Sequence, residues 1–408
     1  MKLAVLGGEP VRTKPFVKWP IHGIEEETAV LRVVRSGNWG RYVGEETLAF
    51  EARFAEMHGC RRALAVPSGT VALKVALLAA GIRSGDEVLI PAYTFLATGT
   101  AVIEVNATPV PVDVDPLSYT MDPNVLEAAV TERTRFIMPV HIAGLPADMD
   151  PILAIAKRHN LTVIEDACQA HGARYKDRSV GSMGVMGCFS MQGSKNVNSG
   201  EGGVIVTNDA DLADRCEAIH NCGRAPDGRD IGPTPVNTNY RITELQSALA
   251  NCQLSRLEEQ GAIRRRNAAQ LDTALAEIPG LNPQARDHCT RHAYHLYSFR
   301  YDAEAFGVSR SVFARAMHAE GIPVAEGYTQ PIYRLPMFVR GDFGPYQAPA
   351  MDVQACAARC PVSERACASE GAWLFHSLLL GTETDTQDIA DAFRKVWELR
   401  GSLREVTT

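Results

Sequence analysis

The chain has 408 residues, 46% hydrophobic and 22% charged, with 41 Lys and Arg against 48 Asp and Glu for a formal net charge of −7. That balance is soluble-globular and long enough for two or three domains. It argues against disordered or fibrous chains and against a broad nucleic-acid or anionic-membrane surface, which needs a basic excess. No apolar run reaches the roughly 18 residues of a membrane span. The stretch Leu3–Leu6 is too short for a secretory signal, so a cytoplasmic location is expected.

From about residue 60 to 210 short β-branched runs alternate with helix-length amphipathic stretches. Strands are predicted at Ala63–Val66, Glu87–Ile90, Pro109–Val114, Arg135–Val140, Thr162–Ile164, Gly187–Phe189 and Gly203–Val206, with helices such as Thr70–Ala80, Leu96–Val105 and Pro151–His159 between them. This is the rhythm of a mostly parallel sheet covered on both faces, an α/β fold whose ligands bind at the carboxyl ends of the strands. Residues 225–238, rich in Gly, Pro and Asp, read as a long surface loop. A long helix follows from Thr243 to about Ala274, and its Arg264-Arg265-Arg266 triplet reads as a solvated face. A strand at Tyr294–Tyr301 and helices at Ser309–Glu320 and Ile389–Leu399 complete an α+β pattern. We divide the chain into a large domain, 1–250, and a smaller one, 251–408. The ten cysteines include no C-x-x-C pair. Cys356 and Cys360 lie one helical turn apart, but no partner pair stands at zinc spacing, so no metal is expected and the thiols read as reduced.

The chemistry concentrates at the strand ends. Lys195 lies between the short apolar strand Gly187–Phe189 and the glycine-rich Ser199-Gly200-Glu201-Gly202-Gly203. A partly desolvated lysine there would be a neutral nucleophile fit for a Schiff base; the same segment alone also suits a surface lysine. Asp166 follows the predicted strand Thr162–Ile164. It fits a ribose-binding acid or a partner for a pyridine nitrogen, and the dinucleotide fingerprint G-x-G-x-x-G that the first role requires is missing. Ser68-Gly69-Thr70, ahead of a helix, fits a phosphate site or a plain helix cap. Phe95 fits a ring-stacking position or the core, and Gln169 stands three residues after Asp166. His141 and His171 read as structural hydrogen bonders.

Four segments together carry a resemblance: Pro67-Ser68-Gly69-Thr70, Glu165-Asp166-Ala167-Cys168-Gln169-Ala170-His171-Gly172, Phe189-Ser190 with Lys195, and Asn239-Tyr240-Arg241-Ile242-Thr243-Glu244-Leu245-Gln246. The chain resembles the DegT-type aminotransferases of amino sugars and aminocyclitols, with a fold-type I architecture and pyridoxal 5'-phosphate as cofactor. The resemblance implies that Lys195 carries the cofactor and acts as acid and base, and that Asp166 pairs with the ring nitrogen. It puts Gln169 near the ring's phenolic oxygen, Phe95 on the ring, and Gly69, Thr70 and Ser190 on the phosphate. Asn239 and Arg241 match a segment that reaches the phosphate from a neighbouring subunit, which implies a homodimer with shared sites. Tyr328, Tyr333 and His376 match acceptor-side segments, although His376 also suits a core position.

Glutamate or glutamine is the implied amino donor, and the acceptor is read as a cyclitol ketone of the inosose type. Tyr333 stands where many nucleotide-sugar relatives carry histidine, which weighs against a nucleotide-linked keto-sugar; Arg334 and Arg340 would be that alternative's diphosphate partners. Dehydratase relatives replace the lysine with histidine, and Lys195 is present. A non-catalytic sensor on the same fold would be marked by a degraded pocket, and none of the pocket positions is degraded.

Overall fold

The computed structural model describes residues 1–224 and 236–405. Its centre is a seven-stranded sheet: β1 (Arg62–Val66), β2 (Glu87–Pro91), β3 (Thr108–Val112), β4 (Thr134–Ile137), β5 (Thr162–Asp166), β6 (Met186–Ser190) and β7 (Gly203–Thr207). The strands lie in the order β1-β7-β6-β5-β4-β2-β3, and only β7 runs antiparallel to its neighbours. β2, β6 and β7 are buried along their whole length, as strands covered on both faces must be. Successive residues therefore serve opposite cores. Val88, Ile164 and Cys188 pack with Leu73 and Leu77, whereas Leu89 and Val163 pack with Ile152, and Phe189 with Phe50 and Phe54. Pro109 and Pro111 fall on β3 at the edge, where a missing N–H costs no ladder bond.

The predicted strands recur with shifted ends. The run expected at Arg135–Val140 pairs as a strand only to Ile137, and Val140 keeps a single bridge to Asp166. Likewise the strand expected to Val114 ends at Val112. The strand expected from Tyr294 begins at Leu296, because Tyr294 sits at φ +49°. The closing helix starts at Glu383 rather than Ile389, where Thr382 and Asp385 cap each other.

A second sheet packs Leu281–Pro283, Leu296–Tyr301, Gly371–Phe375 and Val324–Ala325 in that order, all antiparallel. Helices Arg310–Ala319 and Glu383–Glu398 cover it around Phe299, Phe313 and Phe393. Leu3 joins that core, and the Glu320 carboxylate accepts the N–H groups of Ala4 and Val11, so the first residues dock on this layer. The helix Glu244–Leu275 runs unbroken through residue 250. Within it Arg264 is fully buried, a correction to the solvated-triplet reading; Arg266 alone of the three is exposed. All ten cysteines are free, and Cys356 and Cys360 pack in a small apolar cluster with Tyr333. Among the described residues no group of His, Cys, Asp and Glu could hold a metal ion, and no helix is long and apolar enough to cross a membrane. The loop read at 225–238 lies mostly outside the described residues.

Candidate active site

The ends of β1, β2, β5 and β6 converge on one cavity of about 540 Å³. After β1, Ser68 caps the helix Gly69–Ala79, its Oγ accepting the Val71 N–H at 3.2 Å. The hydroxyl caps as an acceptor and keeps its own O–H, while the amides of Gly69 and Thr70 belong to the first helical turn, which cannot pair them internally. Such amides make an anion site. Glycine is required here by close approach: a Cβ on Gly69 would lie 2.7 Å from Ser190 Cβ and 3.0 Å from Cys168 Sγ.

Asp166 ends β5 and is 5% exposed. Its Oδ2 accepts the Thr98 hydroxyl at 2.8 Å, and its Oδ1 accepts the Cys168 N–H at 3.2 Å. Thr98 is in turn 2.9 Å from the Thr94 hydroxyl, so two threonines one helical turn apart orient the carboxylate. Lys195 follows β6 on a turn closed by its own N–H to Gln192 O at 2.8 Å. Burial pushes its pKa below the ordinary lysine value, opposed by Cys168 and Asp166. That is the environment a nucleophilic amine requires. Gln169 has a fixed amide: Oε1 accepts the Ala143 N–H at 2.8 Å and Nε2 donates to Tyr328 OH at 3.3 Å. One Nε2 hydrogen remains for a ligand. Phe95, 53% exposed, stands on the cavity wall.

The second sheet supplies the opposite wall. His295, Leu296, Trp373 and Phe375 line it together with Tyr328. Trp373 meets the Tyr328 ring edge-on at 5.2 Å. His295 is 5% exposed with an unpartnered Nδ1 among the described residues; burial and the nearby Lys195 hold it well below the usual histidine pKa, so it is neutral. Sequence reasoning missed Thr98, His295, Trp373 and Phe375 as site residues. The alternation Trp373, Phe375 against buried Ala372, Leu374 was the available signal.

The structure thus brings Gly69, Thr70, Phe95, Asp166, Gln169, Ser190, Lys195 and Tyr328 to one cavity. It does not bring Tyr333 or His376 there. Tyr333 is fully buried and donates to Glu364 Oε1 at 2.6 Å. His376 is fully buried with both nitrogens engaged, Nε2 on Ser194 O at 2.9 Å and Nδ1 3.1 Å from Arg264 Nη2. Asn239 and Arg241 do not line this chain's own cavity either; Asn239 accepts the Arg241 N–H at 3.2 Å and Arg241 Nη1 donates to Asn221 at 3.0 Å. His141 is a hydrogen bonder, between Glu165 Oε2 and the Ala147 N–H. His171 is not: both its nitrogens are buried without a partner among the described residues, and its ring packs on Phe54 and Phe189.

A half-buried lysine, an oriented buried carboxylate, free amides at a helix N-terminus and a glycine kept by close packing fit a planar, phosphorylated carbonyl cofactor. Fold and site together define an α/β transferase that works through such a group. More specifically, the chain belongs to the DegT/DnrJ/EryC1/StrS aminotransferase family, whose model matches residues 21–394. Membership implies pyridoxal phosphate. The chain is 40% identical over 416 residues to the L-glutamine:2-deoxy-scyllo-inosose aminotransferase of Streptomyces lividus, covering 97% of each. It is 39% identical over 422 residues to the enzyme of the same name from Micromonospora echinospora, covering 98% of this chain and 99% of that one. The crystal structure of 3-amino-5-hydroxybenzoic acid synthase is similar at a TM-score of 0.84 and 35% identity, over 94% of this chain and all of that one.

Proposed function

We propose that the chain holds pyridoxal 5'-phosphate on Lys195 and moves an amino group from glutamine to a cyclitol ketone of the inosose type. The observation that carries the reading is the convergence of Lys195, Asp166 and the Gly69–Thr70 amides on one cavity. The names of the Streptomyces and Micromonospora relatives support glutamine as donor and an inosose as acceptor.

The cofactor supplies an electron sink that stabilises negative charge at the donor's α-carbon. The chain's residues do the rest. Lys195 Nζ, whose pKa burial lowers, would bind the cofactor's carbonyl carbon with loss of water, and once freed by the donor amine would carry the proton from that α-carbon. Asp166, pinned by Thr98 and the Cys168 amide, would pair with the ring nitrogen. Gly69, Thr70 and Ser190 would hold the phosphate, the spare N–H of Gln169 would serve the phenolic oxygen, and Phe95 would lie against the ring. The wall of Tyr328, Trp373, Phe375 and His295 receives the ketone: broad aromatic faces suit a carbocycle, and the neutral histidine suits its hydroxyls. Of the two arginines a nucleotide diphosphate would use, Arg334 is already paired with Glu364 at 2.7 Å and neither lines the cavity, which favours the cyclitol over a nucleotide-linked sugar.

We place the enzyme in the cytoplasm as a homodimer in which Asn239 and Arg241 complete the neighbour's phosphate site. Trp39, Leu31 and Val34, 44% to 54% exposed, offer an apolar surface for that contact. The test is direct. The purified protein is converted with glutamine to its amine-carrying form, and ketones are screened for return of the starting absorption spectrum. Inososes should restore it and a nucleoside diphosphate should not inhibit. Inhibition by the nucleotide at micromolar concentration, with inososes inert, would overturn the acceptor assignment.

A further inference from the structure

Two successive backbone carbonyls lead into Lys195, and each is held by a side chain from a distant part of the chain. Gly193 O accepts the Trp19 indole N–H at 3.0 Å, and Ser194 O accepts His376 Nε2–H at 2.9 Å. Behind them stands Arg264, from the long helix. Its Nη2 lies 3.1 Å from His376 Nδ1, and its guanidinium sits 5.4 Å from the centre of the Trp19 ring. Trp19 and His376 touch edge to face at 4.5 Å. None of the three lines the cavity.

Arg264 has no carboxylate partner among the described residues. It is fully buried, its only other polar contact is Gln260 Oε1 at 3.4 Å, and its Nε and Nη1 find no partner there. An uncompensated buried cation costs several kcal/mol, and an apolar side chain of similar volume would fill the space more cheaply. The arginine does something an apolar residue could not. It only donates, so His376 Nδ1 must accept, and the imidazole proton is fixed on Nε2, the nitrogen aimed at Ser194 O. Arg264 and burial also keep His376 neutral, so this arrangement persists through the ordinary pH range.

We propose that Trp19, Arg264 and His376 form a clamp on the Gly193 and Ser194 carbonyls that positions the Lys195 amine, and that His376 serves the reaction through this clamp rather than by touching the ketone. The proposal rests on the function proposed above, and its test separates the two. His376→Leu and Arg264→Met break the clamp; His376→Gln and Arg264→Lys keep a donor at each site; Arg266→Gln, an exposed neighbour on the same helix, is the control. The donor half-reaction is followed alone, with glutamine and no ketone, and the acceptor KM is measured separately. The clamp predicts a donor half-reaction slowed about tenfold or more in the two breaking variants, with partial recovery in the conservative ones and an acceptor KM within about twofold of wild type. A normal donor half-reaction with a raised acceptor KM would make His376 a ketone contact and overturn the proposal; so would wild-type behaviour in both measurements. If the breaking variants fail to fold, Trp19→Phe, which keeps an aromatic ring and removes only the N–H on Gly193 O, carries the same comparison, and a wild-type donor half-reaction in it overturns the clamp. Borohydride trapping of the wild type checks the underlying reading. Absence of label on Lys195 refutes that reading and the clamp together, whereas normal label with unaffected variants refutes the clamp alone.

Discussion

Thr98→Val is the sharpest test of how the site holds its carboxylate. The substitution keeps the β-branched shape and removes the hydroxyl that donates to Asp166 Oδ2 at 2.8 Å. Asp166 is 5% exposed, so water replaces the donor poorly, and the Cys168 N–H at 3.2 Å and the Cys168 thiol are left to satisfy the carboxylate. A hydrogen bond to a buried charged group is worth about 1.5–3 kcal/mol. At about 1.4 kcal/mol per decade this corresponds to one to two orders of magnitude in any step that depends on the oriented negative charge. The cofactor-free protein should lose stability of the same order in urea, because the folded carboxylate is under-satisfied while the unfolded one is hydrated. Thr98→Ser retains the hydroxyl and should behave much like wild type. The measurements are the donor half-reaction rate and the urea midpoint, made on all three proteins. A Thr98→Val protein that loads cofactor and reacts within about threefold of wild type would refute the argument that this bond orients Asp166.

Other predictions follow from the same geometry. Burial lowers the Lys195 pKa, so between that lowered value and about 10.4 the unfolded chain binds a proton the folded one lacks, and the lysine's penalty on stability relaxes as pH rises. Cofactor-free Lys195→Met should therefore have a higher urea midpoint than wild type near neutrality, with a gap that closes toward pH ~10; a lower midpoint would contradict it. Gly69→Ala puts a methyl 2.7 Å from Ser190 Cβ on a fully buried strand. Overpacking of about 1–3 kcal/mol should weaken cofactor binding roughly tenfold or more by spectral titration, and unchanged affinity would show that the close approach does not matter. Mixing Lys195→Ala chains with Asn239/Arg241 double-mutant chains should restore activity in heterodimers, since one of the two hybrid sites is intact; proven heterodimers that stay inactive would count against shared sites.

The alternation of apolar runs made the sheet legible, and the small polar residues after each run marked the ligand edge before any side chain was placed. Lys195, Asp166 and Gly69 stand where strand ends meet loops, so local sequence carried them. Thr98 did not stand out, because a hydroxyl at the start of a helix is ordinary and only the fold brings it to Asp166 across 68 positions. Arg264 was misread for a different reason. A run of three arginines looks solvated when judged by charge alone, yet Gln260, Gly261, Asn267, Ala268 and Leu271 define the buried face of that helix, and Arg264 falls on it at the i+3 and i+4 spacings. Periodicity outweighs local charge when one member of a cluster lies on the buried stripe.

The strand Gly371–Phe375 and the residue after it tie recognition to chemistry. Trp373 and Phe375 face the cavity, and His376, the next residue, turns away to hold Ser194 O beside Lys195. A change that repacks Phe375 to admit a different ketone therefore pulls on the group that positions the amine. Tyr328 faces the same cavity but is tied to Gln169 and packed on Trp373, with no bond to the lysine turn. On the proposed reading the two sides of the acceptor wall differ in kind. Substitutions at Tyr328 should shift acceptor preference and reach the cofactor only through Gln169, whereas substitutions at Phe375 shift preference and pull on the lysine turn, because one strand end serves both tasks.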